Sequence, residues 1–142
     1  METFFISGHM DLTETEFNIH YKPTIDETLK KSCRYVIGHS AGADTMSLEY
    51  LLKEKVDPKN ITIYFYDKHN PESSKEFVDR GLNVVSGFTS YTNRDAQMTT
   101  DSTVDILWIR PKEEAIKLLG PKYKEGYVSG TERNLLRRKG TA

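Results

Sequence analysis

The chain has 142 residues, 37% of them apolar and 29% charged, with a formal net charge of −1. That length and composition set one domain, spanning 1–142, with apolar surface for one modest core. The near-neutral charge supplies no field to draw a polynucleotide backbone or an anionic bilayer, which argues against nucleic-acid and membrane partners. The basic cluster Arg133, Arg137, Arg138 and Lys139 reads as the cationic last turn that helix C-termini favour. A single cysteine, Cys33, excludes an internal disulfide and reads as a buried structural thiol in a reducing, cytoplasmic setting. No apolar run approaches the ~20 residues that span a bilayer. Met1 to Ile6 lacks the basic start and long apolar stretch of a secretion signal.

Short β-rich runs alternate with helical patterns along the chain. Phe4-Phe5-Ile6 reads as a strand ending at Ser7-Gly8. Thr13 and Glu16 have the spacing of a capping box, opening a helix that breaks or restarts at Pro23 and runs to about Lys31. Tyr35-Val36-Ile37 is a second strand, and Asp44 to about Lys55 a helix with Met46, Leu48, Leu51 and Leu52 near helical spacing. A turn at Asp57 to Asn60 leads to a third strand, Ile61 to Tyr66. Pro71 to Arg80 is helical and closed by Gly81, a residue suited to the position after a helix. Leu82 to Val85 is a fourth strand, Asn93 to about Thr100 a short helix, and Val104 to Ile109 a fifth strand closed by Pro111. Lys112 to Leu119 is helical, Gly126 to Gly130 a loop, and Thr131 to Lys139 the last helix.

This alternation implies right-handed βαβ crossovers. The expected fold is α/β, a three-layer Rossmann-like sandwich with a five-stranded, mainly parallel sheet. Ligands in such folds sit beyond the carboxyl ends of the strands. The loops Ser7 to Asp11, Gly38 to Asp44, Gly87 to Arg94 and Ser129 to Asn134 are therefore expected to line the site.

Gly38-His39-Ser40-Ala41-Gly42 also matches the G-x-S-x-G nucleophile elbow, with a strand before it and a helix after it. That motif needs an acid and then a histidine later in the chain, and the only later histidine is His69. His9 or His20 would have to reach Ser40 from the other side. A serine hydrolase using Ser40 is thus a minor alternative; the turn also serves to bring backbone close to a ligand, with Gly38 and Gly42 allowing the approach.

Three stretches carry a resemblance. Val36-Ile37-Gly38-His39-Ser40-Ala41-Gly42-Ala43-Asp44 resembles the glycine-containing turn of the SLOG superfamily of Rossmann-like proteins. That group includes DprA-type proteins, the LOG phosphoribohydrolases (lysine decarboxylase-like) and nucleotide-sensing domains of antiviral systems. Arg94-Asp95-Ala96-Gln97-Met98, the strand Val104 to Ile109, and Ser129-Gly130-Thr131-Glu132-Arg133-Asn134 follow in the order of the LOG motifs. The resemblance implies a nucleotide site in which Asp44 caps its helix and, with Ser7, Gly8, His9, Gly38, His39, Ser40, Gly42, Arg94, Ser129, Gly130, Thr131 and Asn134, lines the ligand site. It also implies a homo-oligomer, dimeric or larger.

The last loop stands without the family. Ser129-Gly130-Thr131 opens a helix, where free N–H groups and the helix dipole favour an anion; Thr131 is equally suited to cap that helix. No G-x-G-x-x-G follows the first strand, so a dinucleotide cofactor is not expected. Glu16 and His20 share a helix face but have no third ligand, so no metal is expected.

Two departures from the LOG pattern matter. About eighteen residues, Pro111 to Val128, separate the fifth strand from the Gly-Thr loop. With Tyr123 and Tyr127, they suit a ligand cover, an oligomer contact or a surface excursion. The catalytic glutamate implied by the resemblance falls on Asn134, and an amide is neither base nor nucleophile at neutral pH. Catalysis with Arg94 would need another carboxylate: Glu132, Asp101, Asp11 or Glu16. The expected function is recognition of a nucleotide or nucleotide-derived ligand, with cleavage of an N-glycosidic bond in a nucleoside 5′-monophosphate as the enzymatic form. The alternative is a non-catalytic sensor or sponge of a nucleotide signal such as an ADP-ribose derivative, in antiviral signalling or counter-defence.

Overall fold

The computed structural model describes residues 1–66 and 74–140. Five strands, β1 (Thr3–Ile6), β2 (Arg34–Gly38), β3 (Ile61–Tyr64), β4 (Asn83–Val85) and β5 (Val104–Ile106), form one sheet in the order β4-β3-β2-β1-β5. Every neighbouring pair is parallel. Helices α1 (Glu14–His20), α2 (Lys22–Thr28), α3 (Ala43–Lys53), α4 (Lys75–Asp79), α5 (Tyr91–Asp101), α6 (Lys112–Leu119) and α7 (Gly130–Arg138) connect and flank it. The α/β class and the Rossmann-like three-layer arrangement expected from the alternation are what the chain adopts.

The two-residue period of a strand divides the core. Phe4, Ile6, Tyr35, Ile37, Ile61 and Ile63 point into one apolar cluster with Phe17 of α1, Tyr21 between α1 and α2, Ile25 of α2, and Leu48 and Leu51 of α3. Phe5, Val36 and Tyr64 point to the opposite face and meet Met98 of α5. Burying each such side chain fully contributes roughly 1.5–3 kcal/mol, so the central strands are fixed from both sides.

Local chemistry sets the element ends. The Thr13–Glu16 capping box is complete: the Glu16 N–H donates to Thr13 Oγ1 at 3.1 Å, and the Thr13 N–H to the Glu16 carboxylate at 2.9 Å. The break before Pro23 falls at Tyr21, between α1 and α2. Several bounds differ from expectation. β5 stops at Ile106, not Ile109, because side chains take the donors beyond it: the Trp108 N–H donates to Tyr21 Oη (3.1 Å) and the Arg110 N–H to His9 Nε2 (3.1 Å). α5 starts at Tyr91, not Asn93, because Ser90 Oγ accepts the Asn93 N–H at 3.0 Å. α7 starts at Gly130 because Ser129, not Thr131, is its N-cap. α4 covers the end of the helix expected from Pro71; residues 71–73 lie outside the described residues.

Candidate functional site

A cavity of about 530 Å³ opens beyond the carboxyl ends of β1, β2 and β5, where a parallel sheet with helical crossovers places its ligand sites. All four expected loops reach it. Ser7, Gly8 and His9 come from the first, Ser40 and Asp44 from the second, Arg94 from the third, and Ser129, Gly130, Thr131 and Asn134 from the fourth. Among the other expected residues, Gly38, His39, Gly42, Glu132 and Asp101 are not in its wall.

Gly42 and Gly38 shape the site from behind. Gly42 has φ +72°, and a Cβ there would run into the backbone carbonyls of His9 and Met10. The β1 loop therefore packs directly on the β2 turn, and the Ala43 N–H donates to the His9 carbonyl at 3.1 Å. A Cβ on Gly38 would lie 2.6 Å from an Asp44 carboxylate oxygen and 2.8 Å from the Arg94 guanidinium carbon. The missing side chain lets both charged groups close over the end of β2.

Asp44 is buried in the first turn of α3 and accepts the Ser40 N–H at 3.1 Å. Burial pushes its carboxyl up to about 7, against the pull of the Arg94 guanidinium and the Ser40 amide. Arg94 is itself buried, at 6% exposure. Its Nε and Nη2 donate to Asp95 Oδ1 at 3.0 and 2.9 Å, and its guanidinium lies 4.8 Å from the Tyr91 ring centre.

His9 accepts the Arg110 N–H through Nε2, which places the ring proton on Nδ1. Burial and the Arg110 charge hold its pKa below the ordinary histidine value. It is a neutral hydrogen-bonding group in the wall. Arg110, which the sequence did not single out, lines the same cavity and bridges Asp11 (3.0 Å) and Glu16 (3.2 Å).

The N-terminus of α7 forms one side. Ser129 Oγ accepts the Glu132 N–H at 3.1 Å, and its carbonyl accepts the Arg133 N–H at 3.0 Å. The amides of Gly130 and Thr131 have no intrahelical acceptor and no other acceptor among the described residues. Ser7, 6% exposed and in the same wall, carries a buried Oγ without a hydrogen-bond partner among the described residues. Buried hydroxyls are nearly always satisfied, so an orphan on a residue of the same cavity wall as two free amides marks a place for an acceptor-rich ligand.

Of the carboxylates considered for catalysis, Asp11 is in the wall, whereas Asp101, Glu132 and Glu16 are not. Asp101 accepts Tyr64 Oη at 2.6 Å and Gln97 Nε2 at 2.9 Å, which secures the far end of α5. Glu132 is not part of the wall that Thr131 and Asn134 share. The carboxylates in the wall are Asp11, Asp44 and Asp95. Asn134 is 2% exposed, and its Oδ1 accepts Arg137 Nη1 at 2.6 Å.

Ser40 lines the cavity, but the described histidines are engaged in other contacts. His39 stacks on Phe65 at 4.0 Å, His20 stacks on Trp108 at 4.1 Å, and His9 Nε2 holds the Arg110 amide. His69 lies outside the described residues. Among the described residues no three His, Cys, Asp or Glu side chains gather as a metal site, and no helix is long and apolar enough to cross a membrane. Of the 111–128 excursion, α6 buries no side chain, whereas Tyr127 reaches the cavity wall. No protein-family model, characterised protein or solved structure matches the chain.

Proposed function

We propose that this protein binds a nucleotide or nucleotide-derived ligand at the carboxyl ends of its strands. The observation that carries the reading is the pairing of the free Gly130 and Thr131 amides with the unpartnered, buried Ser7 hydroxyl in one cavity. Donors of this kind, at the positive end of a helix dipole, suit a phosphoryl group. The cavity volume falls within the roughly 300–1,000 Å³ of small-molecule sites. The SLOG-like turn, the buried Arg94 and the Ser-Gly-Thr loop support the same ligand class.

A second reading, hydrolysis of an N-glycosidic bond, is favoured by one feature. Asp44 is a cavity carboxyl that burial pushes up to about 7, the range suited to a general acid for a departing base. In that reaction water adds to the sugar carbon, the carbon–nitrogen bond breaks and the base leaves protonated. Asn134, in place of a carboxylate, favours binding without turnover. The homo-oligomer implied by the resemblance is a further part of the proposal and is read by sedimentation velocity.

The test is a thermal-shift screen with nucleoside mono-, di- and cyclic phosphates and ADP-ribose derivatives, followed by chromatography of each hit. A ligand at a hundred times its Kd adds about 2.7 kcal/mol, a rise in Tm of roughly 9 °C for a chain of this length. Intact recovery identifies a binder, and free base identifies a glycosidase. A flat screen refutes the nucleotide reading, and a fluorophosphonate probe of Ser40 is then the next experiment.

A further inference from the structure

The chain contains six Phe, eight Tyr and one Trp, all within the described residues. Only Tyr91, at 48%, and Tyr127, at 47%, are exposed, and both line the cavity. Met10, 63% exposed, lines it too. Large apolar side chains left in water at one concave place mark a binding surface.

The two rings are presented differently. Tyr91 opens α5 and is held by its neighbours: the Arg94 guanidinium stands 4.8 Å from its ring centre, and the Tyr66 ring is tilted against it at 4.7 Å. Tyr127 closes a tight turn in which its N–H donates to the Lys124 carbonyl at 3.0 Å, with Gly126 at φ +82°. It stands two residues before Ser129, the cap of the helix whose free amides form the anion site. The residue supplying phosphate donors and the residue supplying an aromatic face are thus fixed to each other by a few bonds of chain.

We propose that Tyr127 and Tyr91 bind the planar heteroaromatic base of the ligand by stacking, so that the 111–128 excursion supplies a ligand-binding residue. This rests on the nucleotide reading above. A phosphate at α7 and a base against the tyrosines divide the ligand into two separately readable parts. Every base offers a π-face, so stacking alone distinguishes a nucleotide from a sugar phosphate better than one base from another.

Calorimetric titration of AMP, GMP, CMP, UMP and ribose 5-phosphate into wild type, Tyr127→Ala and Tyr127→Phe tests the inference, with far-UV circular dichroism confirming each fold. Expected are tighter binding of at least one nucleoside monophosphate than of ribose 5-phosphate, and retention of that binding by Tyr127→Phe. Tyr127→Ala should weaken it roughly 5- to 150-fold, equivalent to about 1–3 kcal/mol, while ribose 5-phosphate is unmoved. The inference is overturned, with the nucleotide reading intact, if Tyr127→Ala leaves nucleotide affinity unchanged or weakens nucleotide and ribose 5-phosphate alike. If none of the five binds the wild type, the same comparison is made with the nucleotide that the thermal-shift screen returns; a flat screen refutes the nucleotide reading, and this inference falls with it.

Discussion

Asp44→Asn is the substitution whose effect on stability should change most with pH. The asparagine Oδ1 can still accept the Ser40 N–H, so the turn keeps its hydrogen bond while the titrating group is removed. In the wild type the carboxyl rises from 3.8 to about 7 on folding, chiefly through burial. A raised value means that the stabilising form is the protonated one. Its contribution is complete below pH 3.8 and is lost as pH climbs through 7. The full span corresponds to about 4 kcal/mol, of which about 3 kcal/mol falls between pH 5 and pH 8.

Urea unfolding followed by circular dichroism at those two pH values measures it, provided the m-value stays constant. Other titrating groups, His9 included, are shared by both proteins and cancel in the difference. Wild type should lose about 3 kcal/mol more than Asp44→Asn between pH 5 and pH 8, or roughly 10 °C in Tm. Equal losses would show that Asp44 ionises freely in the folded protein, and the general-acid role would lose its basis.

Ser7→Ala should move two properties in opposite directions. Removing a buried, unpartnered hydroxyl raises the stability of the free protein by up to about 1–3 kcal/mol, while nucleotide binding weakens; a loss of stability would show that the hydroxyl is satisfied. Gly42→Ala places a Cβ against the His9 and Met10 carbonyls at a positive φ. It should cost more than about 1 kcal/mol and lower Tm by over about 3 °C; calorimetry showing no change would contradict the packing of the two loops. Ser129→Ala removes the α7 cap and should cost about 1 kcal/mol, with the amide of Glu132 exchanging faster by NMR. Unchanged exchange there would mean that Ser129 Oγ does not hold that amide.

The sheet was legible because its strands carry short β-branched and aromatic runs, and the two faces of Phe4-Phe5-Ile6 and Tyr35-Val36-Ile37 are both covered. The four site loops followed from one rule, that parallel strands end at a common edge. The carboxylates followed less well. Asp101 lies seven residues beyond Arg94, about 10 Å along the α5 axis at 1.5 Å per residue. Glu132 falls between Thr131 and Asn134, whose three-residue spacing puts that pair together on the cavity side. Those offsets were readable from the helix period. Arg110 was not, because its site is made by partners 94 and 99 residues away. The burial of Asp44 likewise depends on Arg94 and Gly38, which only the tertiary fold brings to it.

The hydroxyl of Tyr21 has a mechanical consequence. Ladder pairing between β1 and β5 ends with the Ser7 N–H on the Ile106 carbonyl. The phenol then continues the seam by one more rung, donating to the Ser7 carbonyl at 2.7 Å and accepting the Trp108 N–H at 3.1 Å. A side chain here does the work of a strand, and the two loops it joins behave as one stiff plate. Any adjustment of shape around a guest therefore falls to the segment from Pro111 to Val128, where an eight-residue helix without a buried side chain leaves little packing to resist it.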